Sequence, residues 1–330
     1  MKRWLIMPLL MGIACSVSGA NMESNAISSI NQVKQITKDI YLLPGQLQSN
    51  QSPDGNSEIL RGPKGLIVID TGRNDQHTQQ LIDAIIAMKL PVAGVINTHW
   101  HLDHIGGNAR FKQQWPGISI YAHPSLDNAL VGFHKDYRQQ LETYVPTLEN
   151  GSPEKQRYEA EITLLKLDRA LVATNPVTQS TIKQLGGRKI EINVSEHSVT
   201  EGDIWVFDPT TATLIAGDLV TLPVPMFDSA CPEGWQHALD TLAAAKFKRL
   251  IPGHGAPMSP EEFEQYHRGF NNLLACAKQS EKQQCIDHWF DDVRLLNGNI
   301  DEGYGRALLS YYFDQFIKPD APKRKFWCKA

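Results

Sequence analysis

His99-Trp100-His101-Leu102-Asp103-His104 places three imidazoles and one carboxylate within six residues, a density that core packing does not require. The stretch follows the apolar run Val92 to Ile96, which reads as a buried strand ending at Asn97-Thr98. His99 and His101 stand two apart, so on extended chain they project to the same side. An i, i+4 pair on a helix would give a different zinc arrangement. Gly106-Gly107 then allows a tight turn, and Asn108 to Trp115 reads as a short helix behind the cluster. The residue types and their crowding point to a metal site.

Further ligands are sought where a strand end or a glycine-marked loop holds an inward side chain firmly. His197 follows the strand-like Lys189 to Val194, and Asp218 follows Ala212 to Gly217, a short run ending in glycine. His254 sits in Leu250-Ile251-Pro252-Gly253-His254-Gly255. With the cluster these make five histidines and two aspartates, a set suited to two zinc-like cations bridged by Asp218 and a water.

The series His99-x-His101-x-Asp103-His104, His197, Asp218 and His254 resembles the ligand series of the metallo-β-lactamase fold superfamily. Val68-Ile69-Asp70-Thr71-Gly72 resembles that family's upstream strand-turn motif, and the similarity runs from about Val33 to about Met258. The resemblance implies one metal on His99, His101 and His197, and another on Asp103, His104 and His254, with Asp218 bridging. Asp70 would orient the metal loop without binding metal. It also implies an α/β fold, a four-layer αββα sandwich with metals at one edge of the two sheets.

Zinc β-lactamases of that superfamily typically carry Cys or Ser where this chain has Asp218. Aspartate there is similar to the glyoxalase II-type thioesterases and lactonases. The leading expectation is therefore a di-zinc hydrolase, with iron or manganese as alternative metals. A metal-bridging hydroxide attacks an ester, thioester, lactone or amide carbonyl, and Asp103 orients it and relays a proton. Three alternatives stand beside it: a zinc β-lactamase, a mononuclear-iron enzyme like the persulfide dioxygenases, and a non-catalytic metal-binding accessory protein. Flavodiiron proteins fit poorly, because they usually carry Glu at the position of His101.

The chain has 330 residues, 42% hydrophobic and 21% charged, as in ordinary globular proteins. Its net charge of −4 argues against the nucleases of this fold, which hold a polyanion on a basic surface. A small-molecule substrate is expected, no nucleic acid, and no stable membrane span; the sequence leaves the oligomeric state open. Lys2-Arg3, the apolar stretch Trp4 to Cys15 and Ser18-Gly19-Ala20 read as a signal peptide over residues 1–20, directing the chain to the periplasm or outside the cell. A rival reading puts a lipid anchor on Cys15.

Cleavage after Ala20 leaves Cys231, Cys276, Cys285 and Cys328, an even set in an oxidising compartment. Of three connectivities, Cys276–Cys285 with Cys231–Cys328 is favoured: the first closes a short loop, the second pins the C-terminus near the loop after Asp218. The expected organisation is thus a disordered segment over 21–32, a metallo-β-lactamase-like domain over 33–258 and a helical C-terminal extension over 259–330. Within the domain, Val33 to Leu43 and Glu58 to Asp70 read as strands around a polar loop, Gln46 to Asn56. Gln76 to Leu90 reads as an amphipathic helix, Pro153 to about Val172 as a helix in an insertion, and Thr181 to Ala216 as returning strands. Trp100 is balanced between pocket lining and packing. Met226 and Phe227 favour the core over substrate contact.

Overall fold

A computed structural model describes residues 32–46, 52–297 and 302–328. The expected signal peptide, Cys15, the 21–31 lead, residues 47–51 of the polar loop and residues 298–301 lie outside the described residues.

Seven strands form one sheet: β1 (Lys34–Thr37), β2 (Ile40–Leu43), β3 (Ser57–Gly62), β4 (Gly65–Ile69), β5 (Val92–Ile96), β6 (Ile120–Ala122) and β7 (Asn175–Pro176), in spatial order β1 to β7. Five form the other: β8 (Thr181–Leu185), β9 (Arg188–Glu196), β10 (Gly202–Asp208), β11 (Thr213–Thr221) and β12 (Arg249–His254), ordered β12-β11-β10-β9-β8. The stretches 33–43 and 58–70 form an opening antiparallel meander, β1 to β4. Lys38-Asp39 and Pro63-Lys64 supply the turns.

Strict alternation explains why the sheets stack. On the facing sides Ile40, Leu42, Ile67, Ile69 and Ile96 meet Ile190, Ile192, Ile204, Val206, Ile215 and Ile251. Leu66, Val68 and Val95 point the other way, under Leu81, Ile82 and Ile85 of helix α1 (Asp75–Ala87). Across the molecule Trp205, Leu214 and Leu250 pack under helix α2 (Pro232–Ala244) through Trp235 and Leu239. The result is the four-layer αββα sandwich.

The C-terminal helices α3 (Pro260–Cys276), α4 (Lys282–Asp292) and α5 (Glu302–Tyr312) belong to that same outer core, because Phe270, Trp289, Leu309 and Phe316 are buried in it. Each such side chain stabilises by about 1.5–3 kcal/mol, so this segment is fixed to the sheet. Met226 and Phe227 are core residues too. Helix α3 starts on a reciprocal cap in which the Ser259 hydroxyl accepts from Glu262 N and the Glu262 carboxylate accepts from Ser259 N.

The insertion between β6 and β7 carries helices α6 (Ser125–Val131), α7 (Phe133–Tyr144) and α8 (Pro153–Leu165). The last ends at Leu165, short of the expected Val172, and a separate turn of helix follows at Asp168–Leu171. No helix among the described residues is long and apolar enough to cross a membrane. Both disulfides, Cys231–Cys328 and Cys276–Cys285, are formed in the favoured pairing.

Candidate metal centre

β4 runs parallel to β5, and β11 runs parallel to β12. Chain leaving their C-terminal ends emerges at one end of the sandwich, where open α/β sheets bind ligands. Residues 97–101 after β5 are irregular, then Leu102–Ile105 makes one helical turn that turns Asp103 and His104 inward. Asp218 lies in β11 after Gly217, whose left-handed φ of 57° accompanies a break in the β11–β12 register. His254 ends β12. A Cβ on the preceding Gly253 would come within 1.9 Å of Asp218 Oδ1, so only glycine allows this approach.

Six of the seven candidate ligands come together. Ligand atoms of Asp103, His104, Asp218 and His254 lie within 4.8 Å of one another, as do those of His99, His101 and Asp218. Asp218 divides its oxygens between the groups: Oδ2 is 3.6 Å from His99 Nε2, while Oδ1 is 3.2 Å from His104 Nε2 and 3.6 Å from His254 Nε2. His254 Nε2 also lies 3.0 Å from Asp103 Oδ2.

The supporting contacts leave the ligand lone pairs aimed inward. Asp70 accepts from Thr98 N at 2.8 Å, Thr98 Oγ1 at 2.7 Å and His104 Nδ1 at 2.7 Å. Its left-handed φ of 56° is strained backbone of the kind that persists when the surroundings fix it. Because Thr98 gives its hydroxyl proton to Asp70, it accepts from His99 Nδ1 at 3.0 Å. Ser229 likewise donates to the Val199 carbonyl, so it accepts from His101 Nε2 at 2.8 Å. Hydrogen counting therefore assigns Nε2 of His99 and His104, and Nδ1 of His101, as the free lone pairs.

Burial opposes charge throughout, yet the cluster is strongly polarised. Burial alone would strip the proton from His104, but Asp218, Asp103 and Asp70 hold its pKa well above the ordinary imidazole range. His254 is raised in the same way by Asp218 and Asp103 against burial. Asp103 is held well below the carboxylate range because His104 and His254 outweigh burial. His99 and His101 are pushed down, chiefly by burial. Without a metal the three carboxylates favour protonated His104 and His254; a bound cation would take the place of those protons and leave each Nε2 lone pair free.

His197 departs from the expected ligand set. Its side chain is exposed and joins no group of converging ligand atoms among the described residues. The cause is local backbone: φ is 50°, its N–H donates to Glu201 O at 3.1 Å, and its carbonyl abuts Gly234. Asp203, pushed up to about 7 by burial against hydrogen bonds from Ser198 and Thr200, ties down the rest of this loop. We expect His197→Ala to leave metal content unchanged, whereas His254→Ala loses about one equivalent under native mass spectrometry. Equal losses from both would show that His197 reaches the metals.

Trp100 is both packed and lining: it is 1% exposed, donates from Nε1 to Glu201 at 2.9 Å and borders a cavity. Two supports stand behind these residues: His134, which the sequence leaves between the surface and a place behind the ligands, and Asn56, which it does not single out. His134 is buried with Nε2 2.9 Å from the Trp100 carbonyl, and burial lowers its pKa to about 4, so the neutral ring donates there. Asn56 donates to the Pro252 carbonyl at 2.7 Å, fixing the approach to His254. Neither has a local signal, since both partners are remote in sequence.

Residues 53–254 match the metallo-beta-lactamase superfamily model. The chain is 25% identical over 228 residues to a linear primary-alkylsulfatase of Pseudomonas sp. (strain ATCC 19151), covering 62% of this chain and 42% of that protein. It is 31% identical over 94 residues to metallo-beta-lactamase type 2 of Bacillus cereus, covering 28% and 35%. These matches span less than half the length of either relative. The structure of a metallo-beta-lactamase from Pontibacter korlensis superposes with a TM-score of 0.55 at 19% identity, covering 73% of this chain and 98% of that one, which shows a shared fold. The chain belongs to the metallo-beta-lactamase superfamily.

Proposed function

We propose that the protein is an exported metal-dependent hydrolase that cleaves a carbonyl substrate, an ester, thioester, lactone or amide. The observation that carries this is a set of orphaned atoms. His99 Nε2, His104 Nε2, His254 Nε2 and both oxygens of Asp218 are buried with no hydrogen-bond partner. Buried polar groups left so cost roughly 1–3 kcal/mol each, more when charged, unless a cation satisfies them. Nitrogen-rich ligands with two or more carboxylates suit zinc.

Asp103, His104, Asp218 and His254 would hold one ion with four ligands. His99 and His101, sharing Asp218, would hold a second more weakly, because His197 stays outside. A divalent cation held there would supply a Lewis acid, able to activate water and to stabilise charge on a carbonyl oxygen. Asp103, beside His254 Nε2 at 3.0 Å, would orient the attacking water and accept its proton. Asp70 keeps the His104 ring oriented, and Ser229 does so for His101. Export accords with the two disulfides, since such bonds persist in oxidising compartments.

The test joins metal analysis to a panel of chromogenic ester, thioester, lactone and cephalosporin substrates. Turnover of an ester, thioester or lactone that disappears with chelator and returns with zinc is expected. Fully metallated protein inactive on every arm, or exclusive cephalosporin turnover, would overturn the reading. Asp70→Asn should weaken metal affinity about 10–100-fold, the usual effect of losing a carboxylate behind a metal-bound histidine. Metal titration by calorimetry checks this, and unchanged affinity would remove Asp70 from the role.

A further inference from the structure

Beside the metal loop lies a cavity of about 490 Å³, within the range of small-molecule sites. Its wall is strongly aromatic: Trp100, Phe133, Tyr137, Tyr311, Phe326 and Trp327. Most of these come from outside the sandwich, from helix α7, helix α5 and the last turn at Arg324–Trp327. Trp327 is brought here by its neighbour Cys328, which is bonded to Cys231, and its ring stands 6.5 Å from that of Trp100.

The cavity adjoins the metal centre on two sides of one ligand. The Trp100 ring meets the His101 ring edge-on with centroids 4.6 Å apart. Asp228, also in the wall, directly precedes the Ser229 that holds His101 Nε2. The charges lining it are unequal: carboxylates of Asp136, Glu201 and Asp228 against the single ammonium of Lys323. Glu201 and Asp228 accept hydrogen bonds from Trp100 and Tyr312, which holds both side chains in the wall. In the metal-free chain such a field disfavours an anion and admits a neutral or cationic group.

We propose that this cavity is a substrate subsite for a bulky, uncharged or cationic aromatic group, attached to a cleavable bond that lies at the metal centre. The proposal rests on the hydrolase reading for its role, but its binding chemistry is independent of turnover. Aromatic walls supply face and edge contacts to a flat ligand, and the acidic wall selects against carboxylate, sulfate or phosphate on that part of the molecule. The add-on helices, rather than the metal ligands, would then set specificity.

The test uses the full oxidised chain, with and without metal, and two fluorescent probes of like size. Neutral N-phenyl-1-naphthylamine should bind one per chain in both metal states, and anionic 1-anilinonaphthalene-8-sulfonate should bind the metal-free chain at least about tenfold more weakly. Ala307 is an exposed residue on the cavity wall, so Ala307→Trp should fill space without disturbing the core. It should cut binding of the neutral probe about tenfold or more at unchanged melting temperature, and Leu308→Trp repeats the test one position on. No binding of the neutral probe, equal binding of the anionic one, or insensitivity to both tryptophans would overturn the subsite. Probe binding without any esterase, thioesterase or lactonase turnover would defeat the hydrolase reading alone.

Discussion

Asp218→Ala is expected to abolish metal binding at the His99–His101 pair and to weaken it at the Asp103–His104–His254 set. The reason is that one carboxylate serves both: Oδ2 faces His99, Oδ1 faces His104 and His254, and neither oxygen has a hydrogen-bond donor. Without it the first group keeps only two ligand residues, too few to hold an ion against water. The second keeps three, as catalytic zinc sites often have, and retains partial occupancy. Hydrolysis should fall on the order of 10³-fold, the scale of losing a principal electrostatic stabiliser. Elemental analysis beside steady-state rates reads both effects. Wild-type metal content in the alanine variant would show that Asp218 does not bridge.

The convergence of Asp103, His104 and Asp218 was legible because these residues are chemically unlike anything a core needs, and because glycines mark the close approaches. The sandwich was legible because β2, β4 and β10 alternate strictly between two apolar faces. What escaped was set by contacts distant in sequence. His197 follows a strand just as a ligand should. It is turned outward by a backbone contact with Gly234, 37 residues on, and by hydrogen bonds within its own loop. Ser229 reaches His101 across 128 residues, and His134 reaches Trp100 from an inserted helix. Periodicity carries no information on such pairs.

Reduction of the disulfides is expected to lower the melting temperature by on the order of 10 °C while leaving metal content nearly intact. Cys231–Cys328 spans 97 residues, and closing a loop of that size restricts the unfolded chain by about 4–5 kcal/mol at most. Cys276–Cys285 spans only 9 and contributes less, about 2–3 kcal/mol. For a chain of this size each kcal/mol moves the midpoint by roughly 2 °C. The loss falls on the C-terminal helices and the last turn, whereas the proposed metal ligands stand on strands β11 and β12 and the loop after β5. Freed from Cys231, the segment bearing Trp327 should leave Trp100, so affinity for the neutral aromatic probe should drop with the thiols exposed. Calorimetry, elemental analysis and probe binding on one reduced sample separate these outcomes. Loss of metal in step with the fall in melting temperature would mean that the tail holds the centre itself. Probe affinity unmoved by reduction would mean that Trp327 is no part of the cavity wall.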